Sequence, residues 1–121
     1  MPALITVLVV EDEPLVRMDI SDQLQDFGFT VLEAADAEEA LFVLAANPEI
    51  QVMFTDVDMP GSMDGLKLAA AVRDRWPPIK IIVTSGHRRV SIGDIPRDSR
   101  FFGKPYAARD IASAAREMVA S

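Results

Sequence analysis

The sequence predicts an α/β fold: a parallel sheet of five strands with helices packed on both of its faces. Two patterns point to it. Short β-branched runs recur along the chain, and nearly all are followed by a stretch with apolar residues at helical spacing. Alternation of this kind is satisfied when each helix crosses back over the sheet with right-handed sense, so that successive strands run parallel. Length is the third observation. The chain has 121 residues, 50% of them hydrophobic, which suits one domain with a core that needs no staples. Residues 1–121 therefore read as a single domain without linker, repeat or low-complexity segment.

Each element has its own justification. Ile5 to Val10 (ITVLVV) is nearly continuous and β-branched, as a strand buried on both faces must be. Pro14 opens a helix whose stripe is Val16, Ile20, Leu24 and Phe27, and Gly28 stands where a C-terminal cap is useful. Thr30 to Ala34 is the second strand. Asp36 and Glu39 have capping-box spacing, with Ala37, Ala40, Leu41 and Leu44 behind them and Pro48 as a stop. Val52 to Thr55 is the third strand and ends in Asp56; Asp58 to Gly65 is a loop rich in Pro and Gly. Leu68, Ala69, Val72 and Trp76 mark a third helix, closed by Pro77 and Pro78. Ile79 to Thr84 is the fourth strand. From Gly86 to Arg100, Gly93, Pro96 and several Arg leave any helix short and poorly specified. Phe101 and Phe102 form a short fifth strand, and Ala108, Ile111, Ala112, Ala115 and Val119 give the last helix a clear stripe.

Composition excludes several classes. The 19 Asp plus Glu outnumber the 12 Lys plus Arg, leaving a charge of −7. A general nucleic-acid binder needs clustered basic residues instead. With no Cys there are no disulfides and no zinc–thiolate sites. No apolar run approaches the ~20 residues of a membrane span. Met1 to Thr6 lacks the basic and apolar regions of a secretory signal. The expectation is a soluble, cytoplasmic domain that binds neither nucleic acid nor membrane.

In an open parallel sheet, ligands bind beyond the carboxyl ends of the strands. After the first strand come Glu11, Asp12 and Glu13. The third ends at Asp56, with Asp58 two residues on. The fourth ends at Thr84, followed by Ser85 and Gly86, and the fifth leads into Lys104 and Pro105. Acids, a hydroxyl and a lysine thus converge on one edge. Carboxylates held this close raise one another's pKa. A hard divalent cation such as Mg²⁺ relieves that strain, taking one or two carboxylates and keeping several waters. Glu11, Asp12 and Asp56 can supply its ligands. Asp56 then keeps an oxygen able to attack phosphorus. Phosphoryl transfer depends mainly on positioning and charge neutralisation, to which Lys104 and the Thr84 hydroxyl can contribute.

The segments VLVVEDEP (Val7 to Pro14), FTDVDMPG (Phe54 to Gly61) with MDG (Met63 to Gly65), VTSG (Val83 to Gly86) and FFGKPY (Phe101 to Tyr106) resemble the receiver domains of bacterial two-component response regulators. The resemblance spans the whole chain and keeps the family's order. It implies a receiver similar to the chemotaxis regulator, either stand-alone or a piece of a larger chain such as a hybrid kinase, with the flavodoxin-like strand order 2-1-3-4-5. Asp56 is then the phosphoacceptor. Glu11 and Asp12 form the acidic pair, Asp12 being the more direct metal ligand. The backbone carbonyl of Asp58 is a further ligand to Mg²⁺, with Mn²⁺ as the alternative. Lys104 binds the phosphoryl group, aimed by a cis bond to Pro105. Thr84 is the switch hydroxyl and Phe101 the switch aromatic. The implied phosphodonor is a sensor histidine kinase or a histidine phosphotransfer protein. Phosphorylation would draw Thr84 inward, let Phe101 rotate, and change the face of the fourth helix, fifth strand and last helix toward a downstream protein target. Such a domain is no enzyme beyond catalysing its own phosphorylation and dephosphorylation, and works as a monomer or weak dimer.

Two stretches depart from the family pattern. Between Thr84 and Lys104 the chain is short and broken, so the fourth helix is expected to be truncated or irregular. The loop Pro60 to Met63 is one residue longer than the common pattern. His87 reads as surface loop, and Arg88, Arg89, Arg97 and Arg100 as a solvated face. Three rival readings fare worse. Asp56-Val57-Asp58 resembles the motif of haloacid-dehalogenase-type phosphatases, but it follows the third strand and would leave Glu11 and Asp12 unused. A receiver-like module that is never phosphorylated would not need the full acid set with Thr84 and Lys104. A flavodoxin would meet three acids after Val10 where the FMN phosphate must sit.

Overall fold

A strand apolar on both faces must lie in the middle of a covered sheet, and ITVLVV does. The computed structural model describes residues 4–59, 61, 63–86 and 90–121. In it β1 (Thr6–Val10) is buried at every position. The remaining elements are α1 (Pro14–Asp26), β2 (Thr30–Ala34), α2 (Ala37–Ala46), β3 (Ile50–Asp56), α3 (Gly65–Arg75), β4 (Lys80–Ser85), a 3₁₀ turn (Ile92–Asp94), β5 (Arg100–Gly103) and α4 (Ala108–Ala120). The five strands form one sheet in the order β2-β1-β3-β4-β5. All neighbouring pairs are parallel, the flavodoxin-like order.

Two cores cover the two faces. On one, Leu8, Val10, Met53, Ile81 and Val83 meet Ala40 and Leu44 of α2 and Leu68, Ala69 and Val72 of α3. On the other, Val7, Val9, Val52, Phe54 and Ile82 meet Ile20 and Leu24 of α1 and Ile111, Ala112 and Ala115 of α4. Period-two alternation along each strand serves both layers at once. No helix among the described residues is long and apolar enough to cross a membrane.

Helix ends follow local chemistry. Beyond α1, Gly28 takes φ +98°, the left-handed conformation that other residues adopt at a cost. Phe29 N–H donates to the Leu24 carbonyl at 3.1 Å and Gly28 N–H to Gln25 at 2.9 Å, closing a Schellman turn. This reversal changes the expected stripe of α1: Phe27 is left 38% exposed, and Phe29 returns to the core instead. Asp36 caps α2 by accepting from Glu39 N–H at 2.8 Å. The Glu39 side chain reaches Ala35 N–H rather than that of Asp36, so the box is stretched by one residue.

The fourth strand–helix unit is where the repeat fails. Among the described residues between β4 and β5 there is no α-helix, only the turn Ile92–Asp94 with Ser91 and Asp94 capping each other. The described residues thus form five strands and four α-helices. Val90 and Ile95 lie half-buried against the core where a helical stripe would sit. Gly93 and Pro96 explain the outcome, since each opposes helix in its own way. His87, Arg88 and Arg89, and Pro60 and Ser62 of the long loop, lie outside the described residues, as do the first three residues.

Candidate functional site

Strand register brings the acids together. Val10 pairs with Thr55, so the residues that follow each, Glu11 and Asp56, leave the sheet side by side. Glu11 N–H donates to the Ala34 carbonyl of β2 at 3.1 Å, holding the loop to the sheet. On the other side Asp56 pairs with Thr84, and Val57 N–H donates to the Thr84 carbonyl at 2.8 Å. Lys104 N–H donates to the Ser85 carbonyl at 3.1 Å, which places the lysine beyond β5 next to β4. The Lys104–Pro105 peptide is cis.

The helix that follows Asp56 is pressed against it. A Cβ at Gly65 would lie 2.1 Å from the Asp56 carbonyl oxygen, so only glycine fits there. Asp64 caps α3 by accepting from Lys67 N–H at 2.9 Å. The sequence predicts only a loop from Asp58 to Gly65; the spacing of Asp64 ahead of Leu68 is the cap signal it offers.

Asp56 is 3% exposed, and both its carboxylate oxygens are engaged. Lys104 Nζ donates to Oδ2 at 2.8 Å. Asp58 N–H donates to Oδ1 at 3.0 Å. One carboxylate oxygen from each of Glu11, Asp12 and Asp56 lies within 4.8 Å of the other two. Burial pushes the Glu11 carboxyl up from 4.5 to about 7, and the neighbouring Asp56 adds to that through its hydrogen bond and charge. Burial opposes the Lys104 charge, but Asp56, then Glu11 and Asp58, outweigh it and raise that pKa. Burial, followed by Glu11, Asp56 and Asp19, lifts the Tyr106 phenol to about 12. The pocket therefore holds more negative charge than Lys104 alone offsets. Its donors are hard oxygens at the carboxyl ends of two neighbouring strands, β1 and β3, a set that fits Mg²⁺ or Mn²⁺.

The structure thus gathers Glu11, Asp12, Asp56 and Lys104. Thr84 lies beside Asp56 in register, buried, but its hydroxyl donates to the Phe102 carbonyl at 2.7 Å rather than into the acidic cluster. Phe101 is 37% exposed on the edge strand. The Asp58 side chain accepts from the Ser85 hydroxyl at 2.8 Å, tying the loop after β3 to the end of β4. The sequence places Ser85 after the fourth strand and assigns it no partner. A small polar residue next to the expected switch hydroxyl was the only signal, and it does not name a partner.

Comparison with known proteins agrees with this geometry. The family model described as response regulator receiver domain matches residues 7–115. The chain is 38% identical over 118 residues to the sensor kinase CckA of Brucella abortus (strain 2308), covering 94% of this chain and 12% of that protein. It is 28% identical over 116 residues to the response regulator receiver protein CpdR of the same organism, covering 93% of this chain and 95% of that one. A receiver domain structure from Clostridium thermocellum superposes with a TM-score of 0.90 at 26% identity, over 97% of this chain and 95% of the other. The receiver domain of the hybrid histidine kinase CckA superposes with a TM-score of 0.79 at 31% identity, over 94% and 98%. Receiver domains of two-component systems are signalling domains that receive phosphoryl groups from histidine kinases. Motif order, sheet topology and these likenesses converge: the chain belongs to the response regulator receiver domain family.

Proposed function

We propose that the chain is a phosphoacceptor switch in which Asp56 takes a phosphoryl group from the phosphohistidine of a sensor histidine kinase or a histidine phosphotransfer protein. The observation that carries this is the state of the Asp56 carboxylate, buried to 3% exposure, ion-paired to Lys104 at 2.8 Å and clustered with Glu11 and Asp12. An Asp56 oxygen forms the new bond to phosphorus while the donor's nitrogen–phosphorus bond breaks; the imidazole leaves with the electron pair and takes up a proton. The Glu11, Asp12 and Asp56 carboxylates and the Asp58 main-chain carbonyl would hold Mg²⁺, or Mn²⁺ in its place. Once bound, that ion neutralises charge on the transferring phosphoryl oxygens. Lys104 already sits on Asp56 and moves its hydrogen bond to a phosphoryl oxygen.

The response follows from competition for Thr84. Its hydroxyl leaves the Phe102 carbonyl for the phosphoryl group, loosening β5 and freeing Phe101 to move into the space. The surface that changes is built from β5, α4 and the turn at Ile92–Asp94, and it signals to a downstream protein target. In this reading residues 1–121 act as one cytoplasmic receiver unit, monomeric or weakly dimeric, whose only catalysis is its own phosphorylation and dephosphorylation. Incubation with acetyl phosphate and Mg²⁺, followed by intact mass measurement, tests it. The native chain gains one phosphoryl group, and Asp56→Asn gains none while keeping its circular dichroism. Normal labelling of Asp56→Asn, or no labelling of the native chain by acetyl phosphate and by a cognate kinase, overturns the proposal.

A further inference from the structure

In the first turn of α1 stands an arginine that lies outside the site's motifs. Arg17 sits in the first turns of α1, its own N–H donating to the Glu13 carbonyl at 2.9 Å. Its side chain turns back over the acidic loop, where Nη1 donates to the Glu11 carbonyl oxygen at 2.8 Å. The guanidinium is held from the other side by Glu33 of β2, with Nε 3.3 Å from Oε1. The Arg17 side chain is only 20% exposed. One planar group therefore ties together helix, loop and sheet, a task its fork of donors suits and a lysine ammonium does not.

The contact matters because of the peptide it grips. The Glu11 carbonyl belongs to the peptide unit that leads into Asp12. The N–H of Glu11 is already fixed to Ala34. Its side chain accepts from Glu13 N–H at 3.2 Å. With the carbonyl also held, the peptide plane between Glu11 and Asp12 is fixed, and with it the Cα from which the Asp12 side chain starts. Without that hold, repulsion among Glu11, Asp12 and Asp56 would favour rotation of the loop outward.

We propose that Arg17 is a positioning residue for the acidic pair: by gripping the Glu11 carbonyl, itself steadied by Glu33, it presents Asp12 to a divalent cation. The inference rests on the phosphoacceptor reading only in that it takes the acid cluster to be a cation site. Groups that orient metal ligands without touching the metal commonly control affinity by about 10–100-fold.

Mg²⁺ titration by calorimetry, at a temperature where each variant is fully folded, provides the test. Arg17→Met is expected to weaken Mg²⁺ binding about tenfold. Arg17→Lys recovers part of that loss, and Glu33→Gln, which leaves the grip on the carbonyl, loses less than Arg17→Met. In acetyl phosphate labelling, Arg17→Met needs more Mg²⁺ to reach half its maximal rate, while the rate at saturating Mg²⁺ stays close to native. A merely structural role would lower stability without that split. Native affinity in a folded Arg17→Met overturns the inference and leaves the phosphoacceptor reading intact. If Arg17→Met does not fold, native affinity in both Arg17→Lys and Glu33→Gln overturns it equally. A native chain that binds no Mg²⁺ but labels on Asp56 overturns the Arg17 inference together with the cation site, whereas failure to label overturns the phosphoacceptor reading itself.

Discussion

The ends of β1 and β3 are held by strand pairing on both sides, whereas among the described residues the stretch from Val90 to Ser99 has no strand pairing and is held by one 3₁₀ turn, a Ser99 N–H to Pro96 carbonyl bond, a bond from the Arg73 guanidinium to the Arg97 carbonyl and a few half-buried side chains. The first region carries Glu11, Asp12 and Asp56; the second borders Thr84 and Phe101. The difference suits two tasks. Chemistry needs carboxylates placed to within a fraction of an ångström, and central strands in a close-packed core provide that. A response needs two arrangements of nearly equal free energy, and lightly packed segments are where proteins keep them.

Paired substitutions can break or sharpen this contrast. The largest effect is expected at Phe54, which is 3% exposed and packs edge-on against Tyr106 with centroids 5.4 Å apart. Phe54→Ala should lose about 3–5 kcal/mol in urea denaturation, and Phe101→Ala less than about 2 kcal/mol. Equal losses would mean that the edge strand is as firmly packed as the centre. Glycines offer the next comparison. Gly65→Ala drives a methyl into the Asp56 carbonyl and should cost about 1–3 kcal/mol. A Cβ at Gly93 meets nothing within 4 Å, so Gly93→Ala should stay within about 0.5 kcal/mol.

Thr84→Val tests the seam between the two regions. It keeps the buried shape but removes the bond to the Phe102 carbonyl, for a loss of about 1 kcal/mol. Faster amide exchange at Phe102 and Gly103, with no change around Val10, would place the loosening on the response side. Exchange rising equally at both would merge the two regions. The smallest effect lies on the firm side. Ser21 of α1 is buried and its hydroxyl has no partner among the described residues, so Ser21→Ala should gain up to about 1 kcal/mol in thermal melts. A loss there would reveal a partner such as an ordered water.

The firm region was also the legible one. Continuous β-branched runs marked β1 and β4 to within a residue or so, because a strand covered on both faces has little choice of composition. β3 begins at Ile50, two residues before its apolar run, since Gln51 points to solvent and interrupts the pattern. The meeting of Glu11, Asp12, Asp56 and Lys104 followed from reading strand ends, as parallel topology sends them all to one rim. Side-chain direction was not legible. Nothing in VTSG tells which way the Thr84 hydroxyl turns, and nothing in the helical pattern shows Arg17 reaching back to Glu11. Gly93 and Pro96 foretold a weak fourth helix, but a short segment without periodicity does not say what replaces it.

The hydrogen bond from Thr84 to the Phe102 carbonyl has a bearing on background output. A net contribution of about 1 kcal/mol biases a two-state equilibrium only about fivefold. On the proposed switch, losing that bond alone would shift the balance between resting and signalling arrangements by no more than about fivefold. In that proposal one hydroxyl contact is one of the terms that set how quiet the domain is at rest, and the larger part of the contrast must come from the phosphoryl group itself.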